Sequence, residues 1–364
     1  MHLRHNWEKF FLLDHMTAKH LSTRSNGAAF KPIEGAKLAS ISSVAAHAGV
    51  SIATVSRVLN GTKAVADDTR ARVEASVSQL GYRANALARS LMRGETRLLL
   101  VLVPDFANPY FAEIVKGVES VTRTRGYGLV VADASESLSR DSPSLDPLYN
   151  RLADGVISLA RFADLKPLLK DIPDLPWVAC SEYVEDCDVP SVSIDHRQAA
   201  VDAVQYLINR GHRRIALLSA NEDYLWAKQR HAGYEFALKR AGIPVDPQLV
   251  RVARGTDFVD GMDAVGTLLA MESAPTAVFA VSDTLAIGAI KAFRRVGRRV
   301  PEDIAVIGFD DIPVARVFEP ELTTIGQPVR ELGAAAAELL LKRLSGAPTE
   351  SRRLQHALIV RASA

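Results

Sequence analysis

The stretch AGVSIATVSRVLNG, residues 48–61, decides the fold of the N-terminal part of the chain. Gly49 predicts a tight turn between two short helices, because glycine adopts left-handed backbone conformations at no steric cost. Ser51 is placed to cap the second helix. The apolar residues of that helix recur at the spacing of a buried stripe, and they are Val55, Val58 and Leu59. The pattern predicts a helix-turn-helix, whose second helix is the element that enters the major groove of DNA.

The first helix of this unit and a third helix after it complete the predicted bundle. We expect Ser42 to cap the helix that precedes Gly49. Its inward-facing apolar positions are Val44, Ala45 and Ala48, and the small residues Ala45, Ala46 and Ala48 allow close helix packing. A third helix is expected over residues 68–80, closed by Gly81. The three helices together predict a small all-α headpiece over residues 39–82.

The outer face of the second helix carries side chains suited to contacts with DNA. Arg57 is long enough to reach guanine O6 and N7, whereas Ile52 and Ala53 can meet only apolar features such as thymine methyl groups. Phosphate contacts are expected from Ser51, Thr54 and Asn60. A helical packing unit without DNA is the alternative, but basic residues outnumber acidic ones two to one over residues 39–97, which favours a polyanion partner.

The segment NALARSLM, residues 85–92, predicts a helix too short to be stable alone. We assign residues 83–96 to a hinge helix and linker. The segment is either an ordinary linker helix or one that pairs with a second copy and places Leu91 in a minor-groove base step. Residues 1–38 lack sustained periodicity, and we expect them to be a disordered extension.

Beyond residue 97 the sequence alternates between apolar strand candidates and amphipathic helices, which is typical of doubly wound α/β structure. Nine strands are more than we expect in one sheet of this kind, so two similar lobes with a cleft between them are expected. The strand candidates are residues 98–103, 129–132, 155–159, 177–180, 191–194, 215–219, 250–253, 277–281 and 304–308. Ligands bind outside the carboxyl ends of such strands. The residues at those ends are Asp105 to Phe111, Asp133, Arg161, Glu182, Asp257, Phe258, Asp283 and Asp310.

Several classes of protein are excluded by what the sequence lacks. The longest aliphatic run, residues 98–103, is far too short to span a membrane, and the N-terminus does not read as a signal peptide. Neither cysteine has histidines at zinc-ligand spacing, and no nucleophile elbow, Walker-type loop or dinucleotide fingerprint is present. We therefore expect no membrane segment, no metal, no cofactor and no enzymatic activity, and a cytoplasmic protein.

The stretch ISSVAAHAGVSIATVSRVLNG, residues 41–61, resembles the headpiece of the LacI/GalR family of bacterial regulators almost position for position. The resemblance continues through FANPYFAEIVKGVE (106–119) and PELTTIGQP (320–328), and it covers about residues 40–362. Within the family the chain looks nearest the purine and cytidine repressor branch. It departs from the family pattern at Ala84, where many members have proline, and at Asp263, where a glycine is usual.

The resemblance implies a two-lobed sensor domain, similar to periplasmic binding proteins and built from two doubly wound parallel sheets, over residues 97–362. Lobe 1 would comprise about residues 97–194 and 323–352, and lobe 2 about residues 195–322 and 354–362. It also implies a homodimeric repressor that binds double-stranded operator DNA under the control of a small-molecule effector. Effector as inducer and effector as corepressor both stay open. A solute-binding protein or cleft enzyme of the same fold is the alternative.

The resemblance further implies which residues bind the effector, a sugar or a nucleoside or purine. Tyr110 and Phe111 match the pocket aromatics, Arg230 matches a clamping arginine, Phe258 a stacking aromatic and Asp283 an acceptor of hydroxyl or NH groups. Core packing is the alternative for Tyr110 and Phe111, and a helix N-cap is the alternative for Asp283. Trp226 either borders the pocket or lies on an exposed loop.

Overall fold

A computed structural model describes residues 39–61, 64–82, 95–135, 142–183 and 188–364. The chain divides into two compact units between residues 85 and 86. The predicted extension 1–38 and most of the predicted hinge, Leu91 included, lie outside the described residues. Within the described residues, no helix is both long and apolar enough to cross a membrane.

The first unit is a three-helix headpiece, as predicted. Its helices are α1 (Ile41–Ala48), α2 (Ile52–Asn60) and α3 (Asp67–Gln79). Gly49 has φ 64°, the left-handed conformation that the turn between α1 and α2 requires. Ser51 caps α2 by accepting a hydrogen bond from the backbone N–H of Thr54 at 3.1 Å, as expected. The prediction that Ser42 caps α1 is wrong, since Ser40 does so in a reciprocal capping box with Ser43.

The headpiece core is formed by small and β-branched residues; they are Val44, Ala45, Ala48, Val55, Val58 and Val73. The three inward positions predicted for α1 are buried, whereas Leu59, expected in this core, is exposed. The buried stripe of α2 is narrower than predicted, because three short helices cover only one side of each other. A hydrogen bond of 2.9 Å between His47 Nδ1 and Ser76 Oγ links α1 to α3.

The second unit contains all twelve strands. They are β1 (Leu98–Val103), β2 (Gly128–Asp133), β3 (Gly155–Ser158), β4 (Trp177–Cys180), β5 (Ser191–Ile194), β6 (Ile215–Ser219), β7 (Val250–Val252), β8 (Ala277–Ala280), β9 (Ala305–Asp310), β10 (Thr323–Gly326), β11 (Arg352–Leu354) and β12 (Ala357–Ile359) among the described residues. The helices that accompany them are α4 (Pro109–Thr122), α5 (Asp146–Tyr149), α6 (Phe162–Asp171), α7 (His196–Asn209), α8 (Leu225–Arg240), α9 (Phe258–Ala264), α10 (Gly266–Leu269), α11 (Asp283–Arg295) and α12 (Val329–Leu344). All nine predicted strands exist, with ends shifted by at most two residues.

These strands form two six-stranded sheets, each the centre of one lobe. Lobe 1 has the order β11-β5-β4-β3-β1-β2 and lobe 2 the order β12-β10-β9-β8-β6-β7. The central strands are buried along almost their whole length, as nearly continuous apolar runs predict. Every pairing is parallel except that of β12, which runs antiparallel to β10 at the edge of lobe 2. The predicted pair of doubly wound sheets is thus confirmed with one antiparallel edge strand.

The boundary predicted at residue 323 is wrong. Strand β10 pairs in parallel with β9, with Thr323 opposite Ile307 and Gly326 opposite Asp310, so it belongs to lobe 2. The chain returns to lobe 1 only with α12, which packs on α4. It crosses between the lobes three times, after β5, after β10 and between β11 and β12.

Helices α4 and α12 approach each other closely because glycines face the contact. A Cβ on Gly117 would lie 2.1 Å from the carbonyl oxygen of Arg330, and one on Gly333 would lie 2.0 Å from that of Ile114. No side chain fits at either position. The contact fixes α4, whose first turn carries Tyr110 and Phe111.

Candidate functional site

The N-terminal end of α2 presents the side chains predicted to contact DNA. Ile52 is 50% exposed, and Ala53 and Arg57 are also exposed. Ser51 Oγ lies 2.9 Å from Thr54 Oγ1, so the two hydroxyls form one polar cluster at the start of the helix. Asn60 is the last residue of α2, and its side chain lies outside the description, as does Leu91.

The second candidate site is a cavity between the lobes, at the carboxyl ends of strands from both sheets. This is where doubly wound sheets bind ligands. Lobe 1 contributes Asn108, Tyr110, Phe111, Leu159, Ser181 and Glu182, and lobe 2 contributes Trp226, Arg230, Thr256, Ser282 and Asp310. Aromatic faces and convergent polar groups therefore line one space, the composition typical of a small-molecule site. Of the two readings left open for Trp226, the structure supports the pocket border.

Arg230 is the central cation of the cavity and only 3% exposed. Its guanidinium lies 3.5 Å from the centre of the Phe309 ring and 4.8 Å from that of Trp226. Nη1 donates a hydrogen bond to the carbonyl oxygen of Val281 and lies 3.7 Å from Asp310 Oδ1. Burial lowers the pKa of Arg230, and the nearby Asp310 charge opposes this shift. Packing and hydrogen bonds thus fix the direction of the guanidinium.

A buried histidine, His196, accepts hydrogen bonds from the Arg230 guanidinium. His196 Nδ1 lies 3.2 Å from Arg230 Nη2 and 3.4 Å from Nε. Because a guanidinium only donates, Nδ1 must be the unprotonated acceptor, which leaves the proton on Nε2, 3.3 Å from Ser193 Oγ. Burial, followed by the charge of Arg230, lowers the pKa of His196 well below its usual value, so the ring is neutral.

Asp310 ends β9 with φ 118°, a conformation that costs energy for any residue with a side chain. Its carboxylate accepts a hydrogen bond from Gln327 Nε2 at 2.7 Å. Burial raises its pKa to about 7, although Arg230 and Gln327 both act to lower it. Strained backbone and a perturbed acid at a cleft are features of functional sites.

Lobe 1 supplies the facing aromatic groups. Asn108 caps α4 by accepting a hydrogen bond from the backbone N–H of Tyr110 at 3.0 Å. The Tyr110 hydroxyl lies 2.7 Å from Ser181 Oγ and 3.5 Å from Gln327 Oε1, and burial raises the pKa of this phenol. Phe111 packs edge-on against Tyr110, with ring centres 5.2 Å apart. Tyr110 thus both lines the cavity and packs in the core. Phe111 is half-buried and lines the cavity.

Two predicted effector contacts are not brought into the cavity. The carboxylate of Asp283 is fully buried within lobe 2, where Oδ1 accepts from Thr324 Oγ1 at 2.6 Å and Oδ2 from the backbone N–H of Ile312 at 2.9 Å. Both oxygens are therefore occupied by the fold, and the alternative role as N-cap is also wrong, because Ser282 caps α11. Phe258 begins α9, is 37% exposed and lies outside the lining, to which Thr256 contributes instead.

Asp310 and Glu182 are the acids that line the cavity in place of Asp283. Both follow predicted strands in the sequence, and that position is the signal by which they could have been assigned to the cavity. The resemblance drew attention to Asp283 instead. Within the described residues, no group of three or more His, Cys, Asp or Glu side chains is arranged to hold a metal ion.

Two family models match the chain. Residues 40–85 match the model for bacterial regulatory proteins of the lacI family, and residues 204–364 match the periplasmic binding protein-like domain. The headpiece and the C-terminal part of the two-lobed unit are thus each recognised independently. The resemblance inferred from the sequence is confirmed.

Relatives match over nearly their whole length. The chain is 37% identical over 329 residues to the HTH-type transcriptional repressor CytR of Escherichia coli K12, covering 89% of this chain and 96% of that protein. It is 36% identical over 320 residues to the ribose operon repressor of the same organism, covering 87% and 97%. A structure of the lac repressor dimer bound to operator and the anti-inducer ONPF matches with a TM-score of 0.79 and 27% identity, over 90% of this chain and 99% of that one.

Proposed function

The chain belongs to the lacI family of bacterial regulatory proteins, and we propose that a sugar or a nucleoside or purine bound between its lobes controls its affinity for operator DNA. It is a transcriptional repressor with a helix-turn-helix DNA-binding domain and an effector-binding domain. The observation that carries the proposal is the cavity in which Arg230, Asp310 and Glu182 converge beside aromatic rings.

The lining suits a ring that is polar at its edge and apolar on its face. Arg230 supplies hydrogen-bond donors in a fixed direction, and the carboxylate of Asp310 accepts from hydroxyl or NH groups. The rings of Phe111 and Trp226 offer apolar contact. The ribose operon repressor among the relatives favours a sugar, and the resemblance to the purine and cytidine branch favours a nucleoside or base.

Operator contact is assigned to the end of α2. Arg57 reads a guanine edge, Ile52 and Ala53 contact thymine methyl groups, and Ser51, Thr54 and Asn60 contact phosphates. We assign to residues 83–96 a hinge that pairs with that of a second subunit and places Leu91 in the minor groove. The protein acts as a homodimer in the cytoplasm and has no catalytic activity.

Regulation is a population shift between two conformations that differ in how the lobes are arranged. An effector changes operator affinity only to the extent that it binds one conformation more tightly than the other. Since the effector contacts both lobes at once, it favours the conformation in which Tyr110 and Arg230 line the same cavity. A corepressor favours the DNA-binding state and an inducer opposes it.

A thermal-shift screen of the full-length protein tests the effector assignment. Sugars, nucleosides and purine bases are added one at a time, and a compound that binds the folded state raises the melting temperature. We expect a shift with at least one compound of these classes; no shift with any of them would refute the cavity as the effector site.

Selection of binding sites from random duplex DNA tests the operator assignment. We expect a palindromic sequence to be enriched, with affinity that falls steeply as salt is raised. Titration of the effective compound against that complex separates an inducer, which weakens it, from a corepressor, which strengthens it. Equal affinity for the selected site and random DNA would contradict the proposal.

A further inference from the structure

Helix α8 begins without a cap of its own. Its N-cap residue, Tyr224, makes no side-chain hydrogen bond to the first turn. The first backbone N–H groups of any helix have no partner within the helix, and leaving them unsatisfied away from water is costly. An acceptor must therefore come from elsewhere in the fold.

That acceptor comes from the other lobe. Glu182 Oε1 accepts a hydrogen bond from the backbone N–H of Leu225 at 2.8 Å, and Oε2 lies 3.5 Å from that of Trp226. Glu182 follows β4 of lobe 1, whereas α8 belongs to lobe 2. Ser181, with φ 70°, turns the chain immediately before Glu182. The strained backbone of Ser181 thus directs the Glu182 carboxylate across the cleft.

Two more contacts between the lobes converge on the same helix start. Arg161 Nη1 of lobe 1 lies 3.2 Å from Asp223 Oδ2 of lobe 2. The amide of Gln229 donates to the Tyr183 hydroxyl at 3.3 Å. Because Arg161 and Asp223 are more exposed than Glu182, water screens their pair more strongly, and the carboxylate cap is the most buried of the three contacts.

We propose that Glu182 is a trans-lobe cap: it completes α8 only while the lobes are together, and so couples closure of the cleft to assembly of the effector site. Trp226 and Arg230 both lie on α8, so the helix that Glu182 caps is also the one that presents two lining residues. Separation of the lobes leaves the Leu225 and Trp226 amides without their acceptor. The inference rests on the proposed function only in treating the cavity as the effector site; the cap itself does not depend on it.

Hydrogen exchange of the full-length protein tests the cap without effector or DNA. We expect Glu182→Ala to speed exchange of the Leu225 and Trp226 amides about threefold to thirtyfold, the range that corresponds to loss of a side-chain cap. Glu182→Gln keeps a carbonyl acceptor at the same reach and should restore protection. Exchange in β6 of the same lobe should stay unchanged in both variants.

A matched control is Glu222→Ala, because Glu222 also stands before α8 but contacts His231 within its own lobe. It should leave the Leu225 and Trp226 amides as protected as in the wild type. Unchanged exchange in Glu182→Ala, or equal loss in Glu182→Gln, would overturn the trans-lobe cap. Neither outcome bears on operator binding or on the thermal-shift screen, so failure of the cap and failure of the proposed function are distinguishable.

Discussion

Arg230 Nη1 lies 3.7 Å from Asp310 Oδ1, and both side chains are almost completely buried. The two residues come from α8 and from the end of β9, separate elements of lobe 2. Asp283, the first residue of α11 in the same lobe, has its carboxylate occupied by Thr324 and Ile312. Asp310 is therefore the acid that can bind a ligand, whereas Asp283 is the acid that stabilises the fold.

We expect Asp310→Asn to weaken effector binding about tenfold to a hundredfold, because a hydrogen bond to a charged group contributes roughly 1.5–3 kcal/mol. Its free energy of unfolding should change little. Isothermal titration with the compound that is effective in the thermal-shift screen measures the first quantity, and urea unfolding the second. An effector affinity equal to that of the wild type would remove Asp310 from the site.

Asp283→Ala should give the opposite result. It leaves the Ile312 N–H and the Thr324 hydroxyl without their acceptor, and each such buried group costs about 1–3 kcal/mol. We therefore expect a loss of about 2–4 kcal/mol in urea unfolding. Full stability combined with lost effector binding would restore Asp283 as a ligand contact.

Arg57→Ala should weaken binding to the selected operator about fivefold to 150-fold, since a bidentate contact with guanine contributes about 1–3 kcal/mol of discrimination. Affinity for random DNA should fall far less. Arg72→Ala is the matched control, because Arg72 lies on α3 and pairs with Asp68 at 3.6 Å. Electrophoretic mobility shifts with both DNAs measure the effect; equal losses on both would make Arg57 a phosphate contact.

Stability should respond to pH through Glu182. Burial raises its pKa from 4.5 to about 7 in the folded protein, so the folded state holds a proton that the unfolded state has released. The free energy of unfolding contributed by this group is therefore highest below pH 4.5 and is lost as pH rises to about 7. Glu182→Gln removes this titration.

We expect the Gln variant to gain stability relative to the wild type, on the order of 2–3 kcal/mol, between pH 4.5 and 8. The comparison cancels the opposite trend of His196, which is common to both proteins. Urea unfolding at a series of pH values measures the difference. A difference that does not vary with pH would show that Glu182 does not titrate in this range.

Gly333→Ala should destabilise lobe 1 by about 1–3 kcal/mol or more, because the added methyl group would overlap the Ile114 carbonyl and force α4 and α12 apart. Gly266→Ala is the control, since Gly266 is also in a helix but nothing lies within 4 Å of its Cβ position. Thermal unfolding of both variants checks this. Equal melting temperatures would mean that the two helices separate at little cost.

The sequence predicted most of the fold because its strongest signals are local. Gly49 and Ser51 define a turn and a cap within four residues, and the buried strands are apolar runs that need no knowledge of their neighbours. The strands that escaped prediction, β10, β11 and β12, are short and lie at or near sheet edges. The lobe to which β10 belongs depends on its pairing with β9, and no local pattern encodes a partner.

The cavity was predicted less well than the fold, for a related reason. Tyr110 and Arg230 were identified correctly as lining residues, but Asp283 and Asp310 are equally plausible acids at strand ends. What separates them is that donors of the fold occupy both oxygens of Asp283, whereas Gln327 occupies Oδ1 of Asp310. Thr324 lies 41 residues from Asp283 in the chain, so this occupation is a property of the folded structure alone.

The three crossings between the lobes have a consequence for how the sensor unit can be divided. Neither sheet is encoded by one continuous stretch: lobe 1 needs β11 from near the C-terminus, and lobe 2 needs β12 after the chain has left it and returned. A fragment that ends after β5 would lack an edge strand and the helix α12 that covers α4. A protease nick in any one crossing would still leave the halves joined by two covalent tethers. Neither lobe can therefore be inherited, lost or exchanged as a single gene segment.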